Sequence, residues 1–183
     1  MQTLSESDAK LYYDLWKPLL DYTNERYHVK EHVKDIVHAP SLNPEEIKEI
    51  ANKLWNNVTV IDDYLSEKGS ELSEDERAIV CGWKRCVKGR FIIERHLKSG
   101  SILICLDDES VYRVSGIISS WEEIFYYRKP PILIDTTLIP FRDVIISDGL
   151  HMMYPVMIGG NIARSLKDMY MNAKKSGSLY TSL

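Results

Sequence analysis

Leu11, Leu15, Leu19 and Tyr22 recur at intervals of three and four near the start of the chain, the spacing that gathers side chains on one helix face. The pattern predicts a first helix over 5–27, capped by Ser5 or Ser7, with Glu6 and Asp8 at the positive end of its dipole. Pro18 lies inside that pattern, so a kink or break is expected near Lys17. A second helical stretch is predicted over 29–37, ended by the His38-Ala39-Pro40-Ser41 run. Asn43, Pro44 and Glu46 then read as the cap, first and third positions of a further helix, whose apolar stripe is Ile47, Ile50, Ala51 and Leu54. A short helix closed by Gly69 follows. Ser73 and Glu76 have capping-box spacing and open another, with Ile79, Val80, Trp83 and Val87 on its buried side and Gly89 as its stop.

Beyond Gly89 the period shortens. RFIIERHL, SILICL and VYRVSGII are brief runs rich in β-branched residues, separated by KSG and DDES, and predict an antiparallel meander. Ser120 and Glu123 form a second capping box before a short helix that Pro130 and Pro131 prevent from continuing. ILIDTTLI and DVIISDGL read as two more strands, with Pro140 as the second residue of the turn between them. An extended MMYPVMI run and the tight turn at Gly159 and Gly160 lead to a last helix from about Asn161, its cap. Ile162, Leu166, Met169, Tyr170 and Ala173 line one side of that helix. Helices first, then strands, then a closing helix is an α+β order. We expect one domain over 1–183: a helical half over 1–88, then over 89–183 an antiparallel sheet of five or six strands with the C-terminal helix packed on it.

Composition narrows the function classes. The chain has 183 residues, 44% of them hydrophobic, and no apolar run long enough to span a bilayer. The opening MQTLSESDAK lacks the basic end and apolar stretch of a secretion signal. Cys81, Cys86 and Cys105 are an odd number without framework spacing, which suits a reducing cytoplasm and buried small side chains. Residues 1–83 carry 17 acidic and 9 basic side chains, and residues 84–183 carry 10 and 14. That excess is small for a nucleic-acid footprint but leaves room for an anionic ligand or a protein partner on the second half.

Candidate chemistry is sparse. His28-Val29-Lys30-Glu31-His32 has the inverted zinc-peptidase spacing, which on a helix would aim both histidines one way with Asp35 a turn beyond. Val29, Val33 and Ile36 would leave those histidines on a wet flank, with no third ligand assigned. Asp135, Asp143 and Asp148 fall around adjacent predicted strands and are the other group of carboxylates. Gly159 and Gly160 lack the third glycine of a dinucleotide turn, although Arg164 stands near that helix start. Arg77, Lys84 and Lys88 would share one helix face, with Arg90 just beyond. The candidate ligand or partner residues are therefore Lys84, Lys88, Arg90, Arg142, Asp148 and Arg164, with no cofactor and no metal assigned. The expectation is a non-catalytic binding or regulatory module in the cytoplasm; the alternative is a metal-dependent hydrolase using the aspartates or the His28 and His32 pair.

LIPFRDVIISDGL followed by GGNIARSLKDMYMNAKKSGSLYTSL resembles the ending of a family of small, uncharacterised bacterial proteins. Pro140, Phe141, Ile145, Ile146, Asp148, Gly149, Gly159, Gly160, Ser165, Leu166, Tyr170, Ala173, Lys174, Ser182 and Leu183 carry the resemblance, and GWKRCVKGRF is similar to another segment of that family. Ile139 and Asp143 stand where the family usually has Leu and Gly. The resemblance implies a shape and a bacterial origin, and no activity.

Overall fold

A computed structural model of the chain describes residues 2–39 and 41–183, so Pro40, within the run expected to end the second helix, lies outside the described residues. The fold is α+β: helices first, a six-stranded sheet in the middle, a helix last. The chain divides into two compact units, one of residues 6–85 and one of residues 86–183 with the segment before Glu6.

The helical unit holds α1 (Glu6–Tyr27), α2 (Pro44–Asn56), α3 (Val60–Lys68) and α4 (Glu74–Gly82). Helix α1 runs through Pro18 without a break. Leu15, Trp16, Leu19 and Leu20, all buried, flank the proline and offset its missing hydrogen bond. Local capping signals are realised: the Asn43 side chain accepts from the Glu45 amide, and Ser73 and Glu76 complete their box. Residues 29–37, in contrast, form no helix. His28 and Asp35 adopt left-handed backbone, at φ 51° and 53°. Asn24 of α1 takes over the pairing, its amide donating to the carbonyls of Lys30 and Val33 while its oxygen accepts the Lys30 amide. Helix α4 stops at Gly82, a 3-10 turn over Trp83–Arg85 holds Lys84, and the strand that follows already contains Lys88 and Gly89, so Arg77, Lys84 and Lys88 do not share a helix face.

The second unit contains β1 (Val87–Leu97), β2 (Gly100–Cys105), β3 (Val111–Val114), α5 (Trp121–Ile124), β4 (Ile132–Phe141), β5 (Val144–Ser147), β6 (Met152–Met153) and α6 (Gly160–Ser176). The expected meander is present, β1 with β2 and β2 with β3, both antiparallel. The sheet is nevertheless mixed, because β3 pairs with β5 in parallel through Val114 and Ile145. Antiparallel pairing of β5 with β4 and of β4 with β1 then closes the cycle β1-β2-β3-β5-β4-β1. Five strands thus make a small closed barrel of OB-like layout, and β6 extends the pairing along β4. Pro140 belongs to β4, opposite Ile145, and the turn is Arg142 and Asp143 alone, with Arg142 at φ 51°.

Alternation along the strands sorts two clusters. Phe91, Ile93, Leu103, Cys105, Tyr112, Val114, Ile134, Leu138 and Ile145 fill the barrel, where Trp121 and Phe125 of the α5 segment join them. Ile92, Ile102, Ile104 and Val111 point out of it and are covered by Leu166, Tyr170 and Ala173 of α6. Continuous apolar runs in β1 and β2 follow from this, since both faces of those strands are buried. Ile162, expected in the same helix stripe, is exposed. Helix α6 is capped by Gly159, not Asn161, and neither Gly159 nor Gly160 has positive φ. The residues after α6 return to the barrel: the Tyr180 amide donates to the Val111 carbonyl at 2.9 Å, and its carbonyl accepts from Arg113 at 2.8 Å. Gly116 is confined by packing, since a Cβ there would lie 2.1 Å from the Ser119 carbonyl oxygen.

Candidate functional site

The sequence-derived candidates separate. Lys84 lies in the helical unit, its ammonium 2.6 Å from Asp62. Arg142 is at the β4–β5 turn and Arg164 is exposed on α6. Lys88 and Arg90 lie on β1 and Asp148 just beyond β5, on the two sides of β4. Across the β1–β4 ladder Lys88 is opposite Thr137 and Arg90 is opposite Asp135. The Asp148 amide donates to the Thr137 carbonyl at 2.9 Å. Cys86, just ahead of Lys88, has its thiol pushed up by burial and by the neighbouring Asp148 carboxylate. It is held as a thiol, the unreactive form. Cys81 is exposed and Cys105 lies in the barrel, so only the latter behaves as a fully buried small side chain.

Neither metal-ligand group assembles. Asp135 lies six residues before Phe141, roughly 20 Å along an extended strand from the turn that holds Asp143. His28 is on left-handed backbone, and His32 pairs at 2.5 Å with Glu46 of α2. His38 pairs with Asp35 at 2.7 Å. Among the described residues no group of three or more His, Cys, Asp or Glu side chains is placed to hold a metal ion.

A serine–histidine pair that sequence reading missed sits beyond β5. The ladder matches Leu138 with Ser147 and Asp135 with Met152, so Asp148, Gly149, Leu150 and His151 stand opposite only Thr136 and Thr137. The surplus residues bulge. Asp148, fully buried, accepts from the Leu150 amide, and Thr136 donates its hydroxyl to the Leu150 carbonyl. The turn brings Ser147 Oγ to 2.9 Å from His151 Nε2, while the His151 ring lies edge-on to Trp121 at 4.7 Å. A hydroxyl beside an imidazole is the first element of a nucleophile–base pair. Here the serine is buried and its oxygen already accepts from the Gly149 amide. The arrangement fixes the bulge and leaves a substrate no approach to the hydroxyl.

The surface of the same unit is chemically more distinctive. Trp121 and Phe125, four apart, stack at 6.0 Å and use up the buried side of α5. Tyr126 and Tyr127 then have no core to enter, and they stand 83% and 60% exposed. Segment 152–157 joins them: Tyr127 Oη lies 3.9 Å from Met153 Sδ, and Arg128 Nη2 donates to the Val156 carbonyl at 2.6 Å. Met152 is 52% exposed and Met157 95%. Glu122 and Glu123 precede the tyrosines, and Arg128 and Lys129 follow them. Hydrogen bonds from Ser120 hold the Glu123 carboxyl below its ordinary range, so it stays charged. The signal for this surface was in the sequence: three consecutive aromatics after a one-turn helix cannot all face one core.

Among the described residues no helix is long and apolar enough to cross a membrane. Comparison with protein-family models, with curated proteins and with solved structures finds no match to this chain.

Proposed function

We propose that the chain is a non-catalytic binding module whose working surface is the tyrosine–methionine patch formed by residues 126–128 and 152–157. The observation that carries this is the exposure of Tyr126, Tyr127 and Met157 on two segments tied together by Arg128 and Tyr127. Solvent-exposed apolar clusters of that kind mark interaction sites, and methionine supplies an adaptable contact. Small five-stranded barrels commonly bind oligonucleotides on the outer face of their second and third strands. In this chain α6 covers Ile102, Ile104 and Val111 on that face. The tyrosines are also flanked in sequence by charges of both signs, Glu122 and Glu123 before them and Arg128 and Lys129 after, which does not favour a polyanion. A protein partner is the better fit. A cytoplasmic location and a bacterial origin, the latter from the resemblance of the C-terminal residues, belong to the same proposal.

Replacing Tyr126 and Met157 together by Glu tests whether the patch is surface or structure. Both side chains are in solvent, so the thermal midpoint should stay near the parent's, each change contributing within about 0.5 kcal/mol. A fall comparable to that of a core variant would show that the patch is needed for folding and would remove the basis of the proposal.

A further inference from the structure

We infer that the solvent face of α6 is a second working surface, which docks on the phosphate backbone of a nucleic-acid duplex. Residues 84–183 carry four more bases than acids, and α6, with four bases and one acid, accounts for three of the difference. Arg164, Lys167, Lys174 and Lys175 are all exposed and, at 3.6 residues per turn, fall within about 100° of one another around the helix. The row extends roughly 16 Å along the axis. Leu166, Tyr170 and Ala173 hold the other side against Ile92, Ile102, Ile104 and Val111, so the row faces outward in one fixed direction.

Ordinary helix electrostatics account for only half of this row. Lys174 and Lys175 lie in the last turn, where the dipole favours cations. Arg164 and Lys167 lie in the N-terminal half, where it gives cations no such support, and the first turn holds no acid. Carboxylates do not offset them either. Among the described residues none of the four cations has an ion-pair partner, whereas Lys10, Arg26, Lys30, Lys84 and Arg95 each have one. A row of like charges without internal counter-charge is complementary to a polyanion.

Its neighbours decide which polyanion. Asn161, Ser165 and Asn172 are exposed beside the row and can donate to phosphate and sugar oxygens. Tyr170 is buried, so α6 exposes no ring on which an unpaired base could stack, and a duplex fits better than a single strand. An anionic membrane fits less well, because an interfacial helix needs a free apolar side and that of α6 is taken by the barrel. Small barrels commonly bind oligonucleotides on the strands themselves. In this chain the outside of the covering helix carries the positive charge instead.

Fluorescence anisotropy of labelled DNA and RNA duplexes with the full chain tests this. At about 50 mM salt one or both should bind with little regard to sequence, the tighter naming the source, and four phosphate contacts should give a DNA salt slope of roughly −3 to −4 in log K. Lys167→Gln with Lys174→Gln should weaken binding roughly tenfold or more and flatten that slope by about 2, one unit for each contact removed. Arg164→Gln with Lys175→Gln is an independent second pair, with the same expectation. Lys34→Gln, an exposed lysine of the helical unit, and Tyr126→Ala, in the tyrosine patch, should leave binding unchanged. No duplex binding at about 50 mM salt would overturn the inference, as would binding indifferent to both pairs or single strands bound more tightly than duplexes. Tighter binding to vesicles of anionic phospholipid than to either duplex would overturn it in favour of a membrane. The tyrosine patch rests on other residues, so its standing is unaffected by any of these results.

Discussion

Trp121→Ala is expected to cost about 3–5 kcal/mol of stability, enough to remove much of what holds a domain of this size folded. Trp121 is buried in the barrel cluster, stacked on Phe125 and edge-on to His151. Its removal opens a cavity among Phe91, Leu103, Tyr112 and Ile134, side chains held by strands that cannot collapse inward without breaking their ladders. A second loss adds to the cavity. The indole N–H donates to the Ser115 carbonyl at 3.2 Å in a buried site, and alanine leaves that carbonyl unpaired. Chemical denaturation of the variant beside the parent reads the difference. Tyr126→Ala, five residues on, provides the contrast, since its ring is in solvent and should change the midpoint little. If the two variants lost the same stability, the assignment of inner and outer aromatics would be wrong.

The second large effect belongs to α6. Leu166→Ala should cost about 2–5 kcal/mol, because Leu166 is buried against Ile92, Ile102, Ile104 and Val111 on the outside of the barrel. Ile162→Ala, one turn earlier on an exposed position, should stay within about 0.5 kcal/mol. The helix is therefore part of the barrel unit's core and not a tail waiting for a partner. Its amphipathic stripe is shorter than the sequence suggests, ending at Leu166 on its N-terminal side. Thermal unfolding of the two variants separates the readings: a Leu166→Ala midpoint equal to the parent's would mean that the helix is only loosely applied.

What the sequence revealed depended on how local each signal was. The caps at Asn43, Ser73 and Ser120 were legible because a side chain and an amide two or three residues away decide them. Residues 29–37 misled because the deciding group was Asn24, on the preceding helix, whose side chain satisfies the loop's backbone and makes helical bonds unnecessary. Gly89 was misread as a stop because glycine signals apply equally to helix ends and to strands. Barrel closure could not be read at all. β1 pairs on both edges through Phe91, Ile92 and Ile93, and the parallel contact of β3 with β5 rests on one residue pair. Such long-range pairings leave no periodic trace.

The candidate site was less legible than the fold, for a related reason. Charged residues were the visible candidates, but Lys84 is taken up by Asp62, and Lys88 and Arg90 stand on a strand ladder instead of a helix face. Tyrosine and methionine are read by default as core. The run Phe125-Tyr126-Tyr127 signals that some aromatics must face out, but which ones do is decided by the packing: Trp121 and Phe125 fill the interior, and Tyr126, Tyr127, Met152 and Met157 stay outside.

The central claim is that this outer patch is where the chain meets a protein. Site-specific photo-cross-linking tests it most directly, with a photoreactive amino acid at position 126, at position 157 and, as a control on the same unit, at the exposed Lys98. The account predicts discrete cross-linked species of protein mass from positions 126 and 157 in the native host, and none from position 98. Cross-links of equal yield from all three positions, or none from 126 and 157, would contradict it.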